Sequence, residues 1–500
     1  MELETPTRIV VENPDKKSDK KIKTKFPVVA WLIIGCEFSE RFCFYGMKAI
    51  LTLYLSDFLM LSILTSTSIY HIFTILCYFM PIVGAIIADA FLGRYKTILY
   101  LSFAYICGLI LLTVSSIPHV GKRNSGLAVI SLILIAIGTG GIKPCVSSFG
   151  ADQLLKSSET SMQKFFSIFY MSINAGSFLS TIITPLAKSF QCYSPAIALN
   201  TNSTLNYDCY SLAFFIPTFA MILATAIFIA GSRFYKKIPP HGSLILRFVK
   251  ALFYAEKKKC TRKNTDPKHA SIFMYASDKY DEEELGHFQI VISIIKLFFP
   301  LCFFWTLYDQ TGSSWILQGK EMNRQIGSLS ITPDMMQCLN PLLVMIMVPL
   351  FESCLYPLLA KRNIMTSQLD KMIFGMFMLA SAFVISGILQ FFISKSFDVH
   401  IAFQFFPYIQ LTAAEILFSI PGLHFAYAEA PNSMKSLITA IWLMTTSFGN
   451  LFTLIINGFT KTTNASWLYF LYAALVTVMA FIFKFLVNRY NKRKSETQTN

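Results

Sequence analysis

Ionisable residues of both signs recur at helical spacing inside the first apolar stretch of the chain. They are Glu37, Glu40, Arg41 and Lys48, and the aromatic residues Phe44 and Tyr45 accompany them. At about 100° per residue, these side chains fall within roughly 140° of arc, on one face of a helix. Glu37 and Arg41 stand four residues apart, so their charges can partly neutralise each other. Such a face cannot contact an apolar environment, which predicts that it lines an interior cavity or a partner helix.

Further ionisable and polar residues stand in apolar stretches along the rest of the chain. They are His71, Lys143, Asn174, Asp309, Asn340, Glu352 and Glu415. At bilayer depth each ionised group costs at least ~2.5–3.5 kcal/mol, so each requires a partner or a function. Packing between helices is usually served by Ser or Asn, and so many ionisable groups favour a charged central cavity. For Glu352 and Lys296 taken singly, a structural role stays a real alternative.

The elements that position these residues follow from composition. Hydrophobic residues make up 54% of the chain and charged residues only 14%, which excludes two or three soluble domains. The apolar residues form long runs of ~20, the length that crosses a bilayer. We predict an all-α membrane protein of twelve transmembrane helices in two six-helix bundles. The runs cover residues 27–50, 67–88, 98–117, 127–147, 165–187, 211–231, 289–311, 337–359, 372–394, 404–427, 436–458 and 467–487.

These runs divide the chain near its middle. The predicted parts are an N-terminal tail (1–26), a first bundle (27–231), a linker (232–288), a second bundle (289–487) and a C-terminal tail (488–500). A carrier made of two rocking bundles requires such a division. Within the linker, residues 241–254 alternate apolar and basic side chains at helical spacing, which predicts a short helix lying on the membrane surface. Residues 257–269 are expected to be disordered.

The net charge of +15 reflects topology rather than nucleic-acid binding. With an internal N-terminus, most of the 43 Lys and Arg residues fall in loops and tails on the inner side. We therefore expect both termini to be cytoplasmic, in a multi-pass protein of the plasma membrane, with the lysosomal membrane as an alternative. The lipid bilayer is the predicted surrounding, and no nucleic-acid partner is expected.

Loop residues agree with that topology. Asn202 and Asn464 begin glycosylation sequons, and both fall in loops assigned to the outside. Cys192 and Cys209 share the first of these loops, where oxidising conditions would allow a disulfide. No cleavable signal peptide is expected, because the first 26 residues are polar and basic. We find no nucleophile–base pair, metal spacing or phosphate loop, and expect neither an enzyme nor a metal or organic cofactor.

Several motifs together resemble a known family. Residues 37–45 (EFSERFCFY) resemble the ExxERFxYY motif of the proton-dependent oligopeptide transporter (POT) family, within the major facilitator superfamily. Residues 84–94 resemble the facilitator loop motif, and residues 169–177 are similar to the signature of the family's fifth helix. Residues 138–145 and the pair Tyr70-His71 resemble the animal intestinal-type branch, whose large extracellular domain is absent between the ninth and tenth spans.

The resemblance implies a symporter that imports di- and tripeptides by alternating access, with protons as the coupling ion. It also implies a role for individual residues. Arg41 and Lys143 would hold the peptide carboxylate, with Tyr45, Tyr78 and Tyr170 nearby. The peptide amino group would go to Asn174, Asn340 and Glu415, and the peptide side chains to Trp305 and Trp442. Proton coupling would fall to Glu37, Glu40 and His71, and an outer gate to Lys48 and Asp309.

Three positions depart from the family pattern. Phe44 stands in place of the first Tyr of the motif, which removes one hydroxyl from the site. His424 stands where the family usually has Glu. Ser293 replaces an Arg, so that any ion pair with Glu352 is lost. These departures put the range of substrates in question.

Two other functions stay open. One is a proton-coupled carrier of another small solute, such as histidine, nitrate or a peptide-like compound, although intact Glu37, Glu40 and Arg41 disfavour nitrate. The other is a nutrient receptor that does not transport, which only an uptake assay distinguishes.

Overall fold

The computed structural model describes most of the chain. The described residues are 27–117, 124–154, 159–193, 206–240, 242–261, 272–327, 329–362, 365, 367–431, 434–460 and 465–499. The predicted tail 1–26 and both sequon residues, Asn202 and Asn464, lie outside them. Within the described part, eleven segments are long and apolar enough to cross a membrane. A twelfth long helix, Val28–Leu53, carries the charged face described above.

Six helices build the first half of the chain. They are α1 (Val28–Leu53), α2 (Ile63–Ile87), α3 (Arg94–Ser115), α4 (Ser125–Gln153), α5 (Glu159–Lys188) and α6 (Tyr210–Ala230). Helix α1 packs against α5 and α6, and α4 packs against α2 and α3. The α2–α4 contact requires glycine, since a Cβ at Gly84 would overlap the backbone of Gly141. This backbone approach places one face of α4 against α2 in the first bundle.

The second half contains nine helical segments after the linker among the described residues. They are α8 (Glu282–Phe298), α9 (Cys302–Tyr308), α10 (Ser314–Lys320), α11 (Leu339–Leu350), α12 (Tyr356–Lys361), α13 (Gln368–Ser394), α14 (Phe405–Glu429), α15 (Lys435–Phe459) and α16 (Ala465–Thr499). Segments α8 to α10 form one interrupted span, broken by 3₁₀ turns at Phe299–Leu301 and Asp309–Gly312. The first break coincides with Pro300, which has no backbone N–H to donate. The second break turns Asp309 toward the centre of the protein.

Two hairpins lie outside the helices. Strands β1 (Gln191–Tyr193) and β2 (Asn206–Asp208) pair antiparallel between α5 and α6, and a disulfide joins Cys192 to Cys209 beside them. Strands β3 (Gln325–Ile326) and β4 (Leu329–Ser330) form a second antiparallel pair after α10. We call the end of the protein that carries these hairpins the disulfide end, and the opposite end, which carries the linker, the linker end.

The linker differs from its prediction in two respects. Helix α7 (Leu244–Thr261) forms where an amphipathic helix was predicted, but it continues through residues 257–261, which were expected to be disordered. The remaining residues of that stretch lie outside the described part of the chain. Part of the apolar side of α7 is also covered by protein, because Phe248 packs against Phe273 and Phe288 at ring separations of 6.0 and 5.3 Å, whereas Phe253 is 68% exposed. The helix is therefore docked on the second bundle.

Candidate functional site

The charged residues in the middle of helix α1 form a compact cluster. Arg41 Nε lies 2.8 Å from Glu37 Oε1 and 2.7 Å from Glu40 Oε2, and all three side chains are buried. Nε carries a single hydrogen, which is directed at Glu37, so Glu40 Oε2 is held by charge alone. The other oxygen of Glu40 accepts a hydrogen bond from Thr139 on α4 at 2.6 Å. One guanidinium thus compensates two buried carboxylates.

Lys143 extends from α4 toward this cluster. Its ammonium is buried and makes no hydrogen bond with any described residue. Instead it lies 4.2 Å from the ring centre of Phe44 and 4.1 Å from that of Tyr78, both within the range of cation–π attraction. A buried ammonium without a hydrogen-bond acceptor is costly, and ring faces replace only part of its hydration. The arrangement is suited to an anion that arrives from outside the chain.

The second bundle provides an acidic and amide-rich surface. Asn340 Nδ2 donates to Glu415 Oε2 at 2.7 Å, and the Tyr308 hydroxyl donates to Asn340 Oδ1 at 3.4 Å. A cavity of about 60 Å³ lies between the bundles, and residues of both halves line it, among them Tyr45 and Lys48 of α1 and Tyr308 and Asn340 of the second bundle. The cationic cluster therefore belongs to the first bundle and the acidic surface to the second, and this cavity lies at the boundary between the bundles.

A buried network closes this space toward the disulfide end. Lys48 Nζ lies 2.9 Å from Asp309 Oδ1, which is the pair predicted for the gate. Asp309 Oδ2 accepts from Asn450 Nδ2 at 2.7 Å, and Asn450 Oδ1 lies 2.7 Å from His71 Nδ1. Because the amide nitrogen of Asn450 faces Asp309, its oxygen must accept, so Nδ1 of His71 carries hydrogen. His71 Nε2 lies 3.1 Å from the hydroxyl of Ser313.

Two further ion pairs between the bundles were not predicted. Lys188 Nζ, at the end of α5, lies 2.5 Å from Asp334 Oδ2, and both side chains are buried. Lys320 and Asp57 pair at 2.7 Å and are exposed. The only signal in the sequence is that these charges flank apolar runs of different halves, and nothing there indicates which charge pairs with which. These two pairs and that of Lys48 with Asp309 all lie at the disulfide end.

Other predicted site residues lie around the central space with fewer contacts. Trp305 has a buried indole N–H without a hydrogen-bond partner in the described part of the chain. Trp442 is packed edge-on against Phe298, with ring centres 5.4 Å apart. Asn174 donates to the carbonyl of Tyr170 at 3.0 Å and does not reach Asn340 or Glu415. The structure thus brings the cationic residues together. It does not bring Asn174 together with Asn340 and Glu415, the three residues predicted to bind one end of the ligand.

The residues that depart from the family pattern also have defined positions. Phe44 is fully buried and presents its ring to Lys143, as described above. Ser293 donates to the carbonyl of Gln289 at 3.0 Å and makes no ion pair. His424 and Glu352 are exposed. The one departure that touches the charged cluster is therefore Phe44.

These features together define a class of protein. Two helical bundles meet at a buried cavity, one bundle carries buried cations and the other a carboxylate–amide pair, and ion pairs between the bundles close one end. This is the architecture of a carrier of the major facilitator fold.

Comparison with known proteins identifies the family. The model described as "POT family" matches residues 95–490. Solute carrier family 15 member 2 of Danio rerio is 42% identical over 385 residues, covering 76% of this chain and 52% of the relative. Solute carrier family 15 member 1 of Homo sapiens is 42% identical over 386 residues, covering 75% and 53%. The chain belongs to the POT family, and it spans about half the length of the curated relatives it matches.

Solved structures of the family agree in fold. The POT family transporter PepTSo superposes with a TM-score of 0.80 at 29% identity, covering 94% of this chain and 99% of that one. An auto-inhibited POT family peptide transporter superposes with a TM-score of 0.79 at 28% identity, covering 93% and 97%. The expected two-bundle membrane fold is therefore confirmed.

Proposed function

We propose that this protein is a proton-coupled symporter that imports di- and tripeptides by alternating access. The observation that carries the proposal is the unbonded ammonium of Lys143, which is buried near Arg41 in the first bundle, while the second bundle holds the carboxylate of Glu415 by a hydrogen bond. Two of the similar proteins support the assignment, since one is a POT family transporter and the other a POT family peptide transporter.

The two ends of a short peptide match the charged groups of the two bundles. A dipeptide is at most ~7 Å long and carries a carboxylate at one end and an ammonium at the other. The carboxylate would bind between Arg41 and Lys143, and the ammonium would bind at Glu415 and Asn340. This pattern recognises the peptide termini and leaves the side chains to aromatic surfaces such as Trp305, so many sequences can be carried.

Proton coupling follows from the sharing of Arg41. Glu37 and Glu40 are both compensated by this one guanidinium. When a peptide carboxylate takes part of that positive charge, two buried carboxylates remain with less compensation, and binding a proton relieves the repulsion. Each proton moving inward gains ~2.3 kcal/mol per 100 mV and ~1.4 kcal/mol per pH unit of gradient. Together these give ~3.7 kcal/mol, a several-hundred-fold limit of accumulation for one proton per peptide.

We assign the observed arrangement to one half of the proposed transport cycle. With the disulfide end outside, the ion pairs of Lys48, Lys188 and Lys320 would close the outer side. The bound peptide would then leave toward the cytoplasm at the linker end. The plasma membrane fits the disulfide and the sequons at Asn202 and Asn464, and the lysosomal membrane is the alternative. No step of this cycle makes or breaks a covalent bond, so the proposed protein is a carrier and not an enzyme.

Uptake of a radiolabelled dipeptide into proteoliposomes, at acidic and at neutral external pH, tests the proposal. We expect accumulation that is stimulated by acid, abolished by a protonophore and lost in Lys143→Gln. Lys296→Gln is the matched control, because Lys296 is an exposed ammonium in the second bundle. No uptake of labelled dipeptide, together with acid-stimulated uptake of labelled histidine or nitrate, would favour another solute. A chain that binds dipeptide without any uptake would favour the receptor.

A further inference from the structure

A second cavity lies apart from the central one, at the disulfide end. Its volume is about 340 Å³, within the range of sites for small molecules. Ile63, Leu64 and Thr67 of α2 form one wall, and residues of α10, α13, α15 and α16 form the others. None of the residues assigned above to substrate, protons or the gate lines it.

The polar side of this cavity is a carboxylate held by a relay of amides. Gln404 Nε2 donates to Gln318 Oε1 at 3.3 Å, and Gln318 Nε2 donates to Gln390 Oε1 at 3.0 Å. Gln390 Nε2 then donates to Glu321 Oε2 at 2.8 Å. All three glutamines are buried, and their dipoles point the same way. Hydrogen bonds in such a chain polarise one another, and the relay fixes the position of the last acceptor.

Glu321 itself is exposed at the edge of the cavity. One of its oxygens is used by Gln390, and the other accepts no hydrogen bond within the described part of the chain. Glu321 is the one ionisable acid among the lining residues, and none of them is a lysine or an arginine. The relay of three glutamine amides thus holds a single carboxylate at the edge of a cavity large enough for a small molecule.

The remaining walls are mostly apolar, and three of their leucines stand at helix ends. Leu64 lies in the first turn of α2, Leu317 lies near the end of α10, and Leu468 lies in the first turn of α16. In a spanning protein these ends meet the boundary between hydrocarbon and water. A molecule with a cationic head and an aliphatic chain would place the head at Glu321 and the chain against these leucines.

We propose that this cavity binds an amphipathic amine, with Glu321 as the counter-ion, and that its occupancy holds the disulfide end closed. The second part follows from the walls, because Leu64 belongs to the first bundle while Leu317 and Glu321 belong to the second. Opening the disulfide end separates them and divides the site. A ligand that requires both walls therefore favours the closed arrangement.

Binding is tested with octylamine on the full chain in phosphatidylcholine nanodiscs, followed by thermal melting. Octanol and octanoate are controls with the same chain and a neutral or anionic head. We expect octylamine to raise the melting temperature of the wild type and of Asp398→Asn, which removes an exposed carboxylate at the same end. Glu321→Gln should raise the midpoint concentration at least tenfold. Leu317→Trp, which fills the cavity and keeps the charge, should do the same.

Three outcomes would overturn the proposal. An equal response to octanol would mean that the aliphatic chain partitions into apolar surface without a specific site. An unchanged midpoint concentration in Glu321→Gln would exclude Glu321 as the counter-ion of the amine. Octylamine that binds through Glu321 without lowering the maximal rate of dipeptide uptake would overturn the link to closure. The melting experiment does not depend on transport, so its result is independent of the function proposed above.

Discussion

The ammonium of Lys188 lies 2.5 Å from the carboxylate of Asp334, across the boundary between the two bundles. Only 5% and 0% of the two side chains are accessible to solvent. Removing one partner of such a buried pair leaves an uncompensated charge and costs about 3–5 kcal/mol. The exposed pair of Lys320 and Asp57 contributes about 1 kcal/mol or less, because water screens both groups. Lys188 and Asp334 should therefore dominate the closure of the disulfide end.

Lys188→Gln is expected to weaken that closure, and Lys320→Gln is the matched control because it breaks a pair at the same end. The readout is the rate at which a membrane-impermeant maleimide labels a cysteine introduced at Thr311, which lines the central cavity. We expect several-fold faster labelling from the disulfide side in Lys188→Gln and little change in Lys320→Gln. Equal rates in both variants would contradict the leading role of the buried pair.

Exchange of charges tests the pair of Lys48 and Asp309. Lys48→Asp places two carboxylates face to face and should impair dipeptide uptake strongly. Adding Asp309→Lys restores opposite charges, and Asn450 can turn its amide to offer oxygen to the introduced ammonium. We expect partial recovery, measured as the coupling energy of the double-mutant cycle. A cycle with no coupling, together with silent single variants, would contradict the gate.

Glu37→Gln and Glu40→Gln separately test proton coupling. Each removes a carboxylate beside Arg41 and keeps its shape, so the peptide site remains while the proton site is lost. We expect concentrative uptake to disappear while exchange of labelled for unlabelled dipeptide persists. Glu352→Gln serves as the control, since Glu352 is an exposed carboxylate of the second bundle. Acid-stimulated accumulation that is undiminished in both variants would refute this assignment.

The two-bundle fold and the charged face of α1 could be predicted because both depend on local patterns. Run length predicts a span, and spacing places Glu37 and Arg41 on the same side of a helix. The docking of α7 could not be predicted in this way, because periodicity identifies an apolar face without showing whether Phe273 or lipid covers it. The relation of Lys143 to Phe44 is similar, since the residues are evident but the ring-to-ammonium contact depends on the packing of α4.

Residues that join distant segments leave the weakest signal in the sequence. Lys188 and Asp334 are 146 positions apart, and no spacing rule connects them. Asn450 carries no charge and stands in an ordinary helix, so composition gives no reason to select it. Its importance depends on the place where α15 meets α2 and the turn at Asp309. That meeting point is a property of the assembled bundles rather than of any segment.

Removal of the Asn450 amide tests whether His71 and the Lys48–Asp309 pair are linked. Asn450→Leu leaves the Nδ1–H of His71 and one oxygen of Asp309 without partners, and each unsatisfied buried group costs about 1–3 kcal/mol. We expect dipeptide uptake to fall at least several-fold, whereas Asn457→Leu, which removes a single acceptor for the Tyr472 hydroxyl, should have a smaller effect. If the network acts as a unit, combining Asn450→Leu with Lys48→Gln should cost less than the sum of the single losses. Strict additivity would show that His71 and the Lys48–Asp309 pair act independently, and that Asn450 does not link them.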